Sequence, residues 1–108
     1  VKLRARLRES EFKQIFARSD KYYGRLVVLF VSDAVPNKVG FVASKKVGGS
    51  VERNRARRLM REAFLKIEPR ISKEKSFILV ARATINGKRM VDVLKDVEFL
   101  LRKEVIKQ

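Results

Sequence analysis

Residues 45–61 read KKVGGSVERNRARRLMR, and the next six, EAFLKI, complete the pattern on which the fold turns. Gly48-Gly49 opens a loop, and Ser50 is placed to cap a helix. From Val51 to Ile67, at about 100° per residue, Ala56, Leu59, Met60, Ala63, Phe64 and Ile67 share one apolar arc. Asn54, Arg57, Arg58 and Arg61 fall on the opposite arc, with Arg53 and Arg55 flanking it in the first turns. Pro69 stops this helix. Apolar stretches lie on either side, Val39–Ser44 before it and Phe77–Ala83 after it. The segment reads as strand, amphipathic helix, strand: a βαβ unit.

Working outward, Leu26–Val31 is a strand buried on both faces or nearly so, within a β-rich stretch beginning at Tyr22. The turn Asp33–Lys38 predicts an antiparallel hairpin between it and Val39–Ser44. Ser10 is placed to cap a short helix to Arg18, with Phe12, Ile15 and Phe16 on one face. Residues 1–9 read as a basic arm, extended or loosely ordered. Asn86–Arg89 is a basic loop. A last helix over Val91–Val105 is expected to bury Leu94, Val97, Leu101 and Val105. The 108 residues therefore form one domain of α+β class, an α/β sandwich with one small mixed sheet packed against helices.

The chain carries 27 Lys+Arg against 12 Asp+Glu, a net charge of +15. A domain this small and this basic implies a polyanionic partner. At 45% hydrophobic residues it is too apolar for a disordered basic tail. It has no His and no Cys. That excludes imidazole bases, Ser-His and Cys-His nucleophiles, thiolate metal sites and disulfides. The longest apolar run is far short of the roughly 20 residues a membrane helix needs. The basic N-terminus lacks the apolar region of a signal peptide, which makes the cytoplasm the expected location. Because the first residue is Val, an initiator or short tail is expected ahead of it.

Lys45–Arg61 holds seven basic residues and one acid, Glu52. Arg presents a planar fork that grips two phosphate oxygens, and Lys suits a single phosphate as a point charge. The glycine pair allows close backbone approach, and the helix N-terminus directs N–H groups at an anion. Neither nucleotide-loop pattern, G-x-x-x-x-G-K-[ST] or G-x-G-x-x-G after a strand, is present. The alternative is a solvated arginine face supported by pairs such as Arg58 with Glu62. Against it, one acid cannot neutralise five arginines, and Arg53, Arg57 and Arg61 repel one another at i+4 spacing.

Lys45-Lys46-Val-Gly48 followed by Val51-Glu-Arg53-Asn54-Arg55-x-Arg57-Arg58-x-x-Arg61-Glu62 resembles the signature of the bacterial ribonuclease P protein family. The likeness covers the chain in order: basic arm, a Phe-x-x-x-Phe helix (Phe12, Phe16), apolar strands, motif helix, strand, helix. It implies an αβββαβα order with a left-handed crossover, an exception to the usual hand. It also implies the protein subunit of an endoribonuclease holoenzyme that removes the 5′ leader of precursor tRNA. The RNA subunit would be the catalyst and would use Mg²⁺, and this chain is expected to contribute no catalytic residues and no metal site. One protein would pair with one RNA. Lys45, Lys46, Arg53, Asn54, Arg55, Arg57, Arg58 and Arg61 are the expected RNA-subunit contacts.

Phe12, Lys13, Phe16, Arg18 and Tyr22 are the expected leader contacts, in a cleft where rings stack on or touch a single strand. Residue chemistry alone leaves Phe12 and Phe16 equally readable as core. Lys88 and Arg89 form a second basic patch, readable as a solvated turn or an RNA contact. Asp92 and Asp96, one helical turn apart, are the nearest approach to a carboxylate pair for metal-assisted hydrolysis, but they read as helix-surface acids beside Lys88 and Lys95.

A non-enzymatic, ribosomal-type RNA binder fits the charge and the sheet equally well, and only the motif argues against it. A DNA-binding reading is weakened because the arginine helix lies between strands rather than in a helix-turn-helix. Membrane attachment lacks bulky apolar residues beside the basic face. If six phosphates are neutralised, log K for RNA binding should fall with log salt at a slope of about −4 to −5. Filter binding across a salt series reads this directly, and a flat response would exclude phosphate-driven binding.

Overall fold

The structure is a computed structural model and describes residues 3–107. In chain order the elements are β1 (Ala5–Arg6), α1 (Glu9–Ala17), β2 (Asp20–Tyr23), β3 (Val27–Ser32), β4 (Lys38–Val42), α2 (Ser50–Ile67), β5 (Ser76–Ala81) and α3 (Met90–Lys107). Short 3-10 turns at Glu68–Arg70 and Ala83–Ile85 flank β5. Pro69 sits inside the first of these, where its missing N–H ends α2.

The five strands form one mixed sheet in the order β1-β4-β5-β3-β2. β5 is central: antiparallel to β3, with Leu29 opposite Leu79, and parallel to β4, with Phe41 opposite Leu79. The expected hairpin between β3 and β4 is therefore absent. The two run in opposite directions, but β5 lies between them and takes both sets of backbone hydrogen bonds. A parallel partner for β4 has to return by a long crossover, and α2 provides it. The hairpin that does form joins β2 to β3, so the stretch read as β-rich from Tyr22 is broken at Gly24-Arg25.

Alternation along the strands divides the core into two layers. Val27, Leu29 and Val31 of β3, Val39 of β4, and Phe77, Leu79 and Ala81 of β5 pack with the apolar arc of α2. Those α2 residues are the six expected from the helical pattern, and all are buried. The opposite layer is smaller: Phe30, Ile78 and Ile15, with Leu7 and Val35, under α1. In α3 the fully buried positions are Val93, Val97 and Leu100, while Leu94 and Leu101 are only partly covered. The expected stripe is thus turned by about one position, because α3 packs on α2 as well as on the sheet. Val105, the fourth expected core position, lies outside the described side chains.

Of the two readings of the N-terminal arm, its described residues take the extended one. β1 adds to the sheet edge in parallel with β4, pairing Ala5 with Lys38 and Arg6 with Val39. Arg4 is buried beneath it. Its Nε donates to Glu68 Oε1 at 2.8 Å, and a terminal nitrogen donates to the carbonyls of Ser72 (3.0 Å) and Lys75 (2.9 Å). The guanidinium also lies 5.6 Å from the Phe64 ring centre and 5.2 Å from that of Phe77. A buried carboxylate requires a buried cation, and Arg satisfies carboxylate, carbonyls and aromatic faces together.

α1 begins one to two residues earlier than Ser10 suggested. Glu11 turns back to accept the Arg8 N–H at 2.8 Å, with Lys38 Nζ at 3.4 Å. The Arg8 bond holds the Glu11 carboxyl below its usual range, so this cap weakens only as pH falls through that lowered value.

Arg4→Met should cost about 3 kcal/mol in urea unfolding, since it strands the Glu68 carboxylate. Arg4→Met with Glu68→Leu should recover a large part of that loss. No difference between the single and double variants would show that the pair does not hold the arm.

Candidate nucleic-acid interface

The motif loop leaves the C-terminal end of β4 and is held down at one point. Val47 is buried, its N–H donates to the Ser44 carbonyl at 3.0 Å, and Asn86 Nδ2 donates to its carbonyl at 2.6 Å. Lys45 and Lys46 are left exposed in the turn between Ser44 and Val47. Gly48 has φ +143°, and a Cβ there would meet Glu52 Cβ at 2.9 Å, so the turn itself requires glycine. Gly49, not Ser50, is the N-cap. Glu52 accepts its N–H at 2.8 Å, so the helix start is partly closed by its own acid rather than left fully open to a ligand.

Beyond the cap, the arginines wrap the whole outer arc of α2. Arg53, Arg57 and Arg61 form one half-buried row at i+4 spacing, and Arg61 lies 5.7 Å from the Phe41 ring centre of β4. Arg57 donates to the Asn54 side chain. Arg58 reaches Glu62 at 3.7 Å with both ends exposed, a contact worth little in water. Arg55 projects to the other flank and donates to the Lys88 carbonyl. That bond joins the 86–89 loop to the motif helix, so Lys88 and Arg89 extend the same basic surface. Among the described residues, Lys45, Lys46, Arg53, Arg55, Arg57, Arg61 and Lys88 have no carboxylate within ion-pair distance.

The second surface lies on the opposite face of the sheet. α1 crosses from the β1 edge to the β2 edge over one cross-strand row, Gly40–Ile78–Phe30. Phe12 sits directly on β4: a Cβ on Gly40 would fall 2.4 Å from its ring. Phe16 packs edge-on against Phe30 with centres 4.9 Å apart, yet it is 42% exposed. The neighbouring row, Val42–Val80–Val28, is only partly covered. It forms an apolar strip with α1 as its wall, running between the Lys45-Lys46 loop and Tyr23, which pairs with Val28. Phe12 and Phe16 therefore both pack on the sheet, and Phe16 keeps part of its ring exposed beside the strip.

The remaining expected cleft residues divide. Lys13 is exposed on α1, and Arg18 ends that helix with Asp33 at 3.9 Å, both solvated. Tyr22 is not on this face. It pairs with Leu29 and packs into the α2–α3 layer. Its neighbours Lys21 and Tyr23 take the cleft side, Lys21 Nζ lying 5.4 Å from the Phe30 ring centre. Splitting Leu26–Val31 by period two would have paired Val28 with Phe30 on one face. Tyr23 is a lesser candidate beside Tyr22 in the sequence; the β2–β3 hairpin register places it and Lys21 on this side, and Val80 joins through its non-local pairing with Val28.

Asp96 accepts the N–H groups of Arg25 (3.0 Å), Leu26 (2.9 Å) and Val27 (3.1 Å), and Asp92 accepts the Arg89 N–H at 2.9 Å. Both carboxylates are engaged in fastening turns to α3. Among the described residues, no group of three or more acidic, His or Cys side chains is placed to hold a metal ion. No helix there is long and apolar enough to cross a membrane.

A family model described as Ribonuclease P matches residues 2–105. A ribonuclease P protein component of Bacillus pumilus is 32% identical over the whole chain and 94% of its own length. One from Bacillus velezensis is 35% identical, covering 95% of this chain and 91% of that protein. The RNase P protein structures of Staphylococcus aureus and Thermotoga maritima each align over 92% of this chain, and over 94% and 97% of their own. Their TM-scores are 0.78 and 0.77 at 23% and 22% identity, a likeness of fold.

Arg53 has no internal partner, whereas Arg55 tethers the 86–89 loop. Arg53→Ala should leave thermal stability within about 0.5 kcal/mol, and Arg55→Ala should cost about 1 kcal/mol. Equal losses in calorimetry would show that the Arg55–Lys88 tie carries nothing.

Proposed function

The chain belongs to the ribonuclease P protein family, and from that premise we propose that it assembles one-to-one with a ribonuclease P RNA subunit in the cytoplasm and helps it remove the 5′ leader of precursor tRNA. The observation that carries this reading is the basic surface around α2: among the described residues, seven cations without a carboxylate partner, four on the helix itself and three on the loops beside it. Such a surface repels itself until a polyanion neutralises it. Lys45, Lys46, Arg53, Asn54, Arg55, Arg57, Arg58 and Arg61 hold the RNA subunit, with Lys88 and Arg89 continuing the contact.

The strip beside α1 takes the leader. An extended single strand lies along Val42–Val80–Val28, with bases against Phe16 and Phe12 and phosphates near Lys13, Lys21 and Arg18. Tyr22 stands outside this path and supports it only by fixing β2. The protein's work is to bind and orient: it screens phosphate repulsion between two RNAs and holds the leader beside the scissile bond. Mg²⁺ belongs to the RNA in this reading. Among the described residues the donor set does not suit a resident metal, since Asp92 and Asp96 are spent on backbone N–H groups.

The test is cleavage of a precursor tRNA by a bacterial ribonuclease P RNA at low Mg²⁺. Cleavage should need both RNA and protein, and the protein alone should be inert. Phe16→Ala should weaken binding of leader-bearing substrate about tenfold, the scale of one lost stack, with little change for mature tRNA. Equal loss for both would remove the leader from the cleft. A protein that binds RNA without stimulating cleavage would favour the ribosomal-type alternative.

A further inference from the structure

At the pole of the molecule where the β2–β3 turn meets α3 there is a groove of about 550 Å³, within the range of ligand clefts. Phe99 (46% exposed) lines it, and Tyr23 (65% exposed) stands at its rim, where β2 ends. Large rings left this open on a chain with a filled core call for an explanation. Arg25, Lys88 and Lys95 line the groove, and none has an ion-pair partner among the described residues. Lys103 Nζ stands 4.7 Å from the Phe99 ring centre, one helical turn beyond Phe99.

The wall also holds two acids, Asp92 and Asp96, so the three cations outnumber them by only one. Asp96 is consumed by three backbone N–H bonds, and Asp92 is tied to Arg89. The walls are also stiff. Arg82 donates to the Gly24 carbonyl at 2.9 Å, and a Cβ on Gly24 would strike Asp96 Oδ2 at 2.4 Å, so turn and helix are fitted closely. Rings for stacking beside unpaired cations on a rigid frame are the chemistry of single-stranded nucleic-acid recognition.

We propose that this groove is a separate binding site for an unpaired stretch of the ribonuclease P RNA subunit, with a base stacked on Phe99 and its flanking phosphates held by Lys95, Arg25 and Lys88. The inference rests on the function proposed above. The choice of RNA follows from continuity: Lys88, at one end of the groove, has its carbonyl bonded by Arg55 of the motif helix. An RNA strand leaving the arginine face by that flank reaches the groove without crossing uncharged surface. The leader strip runs on the other face of the sheet.

The experiment measures assembly of the full chain with a bacterial ribonuclease P RNA at fixed salt, and then precursor tRNA affinity of the assembled holoenzyme. Phe99→Ala should weaken assembly about tenfold, Phe99→Leu should do the same, and Phe99→Tyr should bind like the parent, because stacking needs a ring and not merely an apolar group. Lys95→Ala should weaken assembly several-fold and lower the salt slope by about one. Circular dichroism should be unchanged for these exposed positions.

Arg53→Ala is the companion control. If it weakens assembly and Phe99→Ala does not, the groove proposal falls while the function stands. If neither matters, the function reading itself falls. If Phe99→Ala leaves assembly intact but lowers precursor tRNA affinity, the groove serves the substrate and the proposal is overturned.

Discussion

Everything in this molecule is arranged around a strand that comes late in the chain. β5 is flanked on both sides and covered on both faces, and its neighbours β3 and β4 touch each other only through it. Because β4 precedes it in parallel, α2 has to cross the sheet to reach it, and this traverse lays the motif helix along the sheet. Because its side chains alternate, it supplies Phe77 and Leu79 to one layer and Ile78 and Val80 to the other. The basic face and the aromatic strip are thus two outputs of one strand's position.

The two surfaces differ in how they resist distortion. The arginine helix is anchored by its buried arc, so its charges are held close together whether or not a partner is present. Repulsion within the Arg53–Arg57–Arg61 row amounts to a few tenths of a kcal/mol per pair, while six buried apolar side chains each contribute on the order of 1 kcal/mol or more. Burial wins by a wide margin, and the charge array persists. The strip depends instead on one close approach: the bare backbone at Gly40 lets Phe12 descend onto β4, and that depth sets how much of Phe16 remains above the surface.

Features governed by local periodicity were legible in the residues. The six core positions of α2, its stop at Pro69 and the pairing of Phe12, Ile15 and Phe16 on one helical face follow from spacing alone. The family itself was legible in the Arg53-Asn54-Arg55 motif and its context. What escaped was non-local. A short turn between β3 and β4 suggests a hairpin, but the strand that pairs with both comes far downstream, Phe77 opposite Val39 and Ser76 opposite Ser32. The sequence leaves the arm extended or loosely ordered because KLRARLR has no partner nearby, and Arg4 finds Glu68 across 64 residues. Tyr22 and Tyr23 look alike in the sequence, and only the register with Leu29 and Val28 assigns them to opposite faces.

The central strand's lateness also bears on how the protein is born. As the chain leaves the ribosome, β3 and β4 emerge together with facing edges and no strand to fill the space between them, and Arg4 waits for a glutamate not yet synthesised. Exposed strand edges at this stage invite pairing between nascent chains. By residue 61 the motif has already emerged, and like charge on every copy opposes that encounter. The charge of Lys45–Arg61 would thus keep nascent chains apart before β5 closes the sheet.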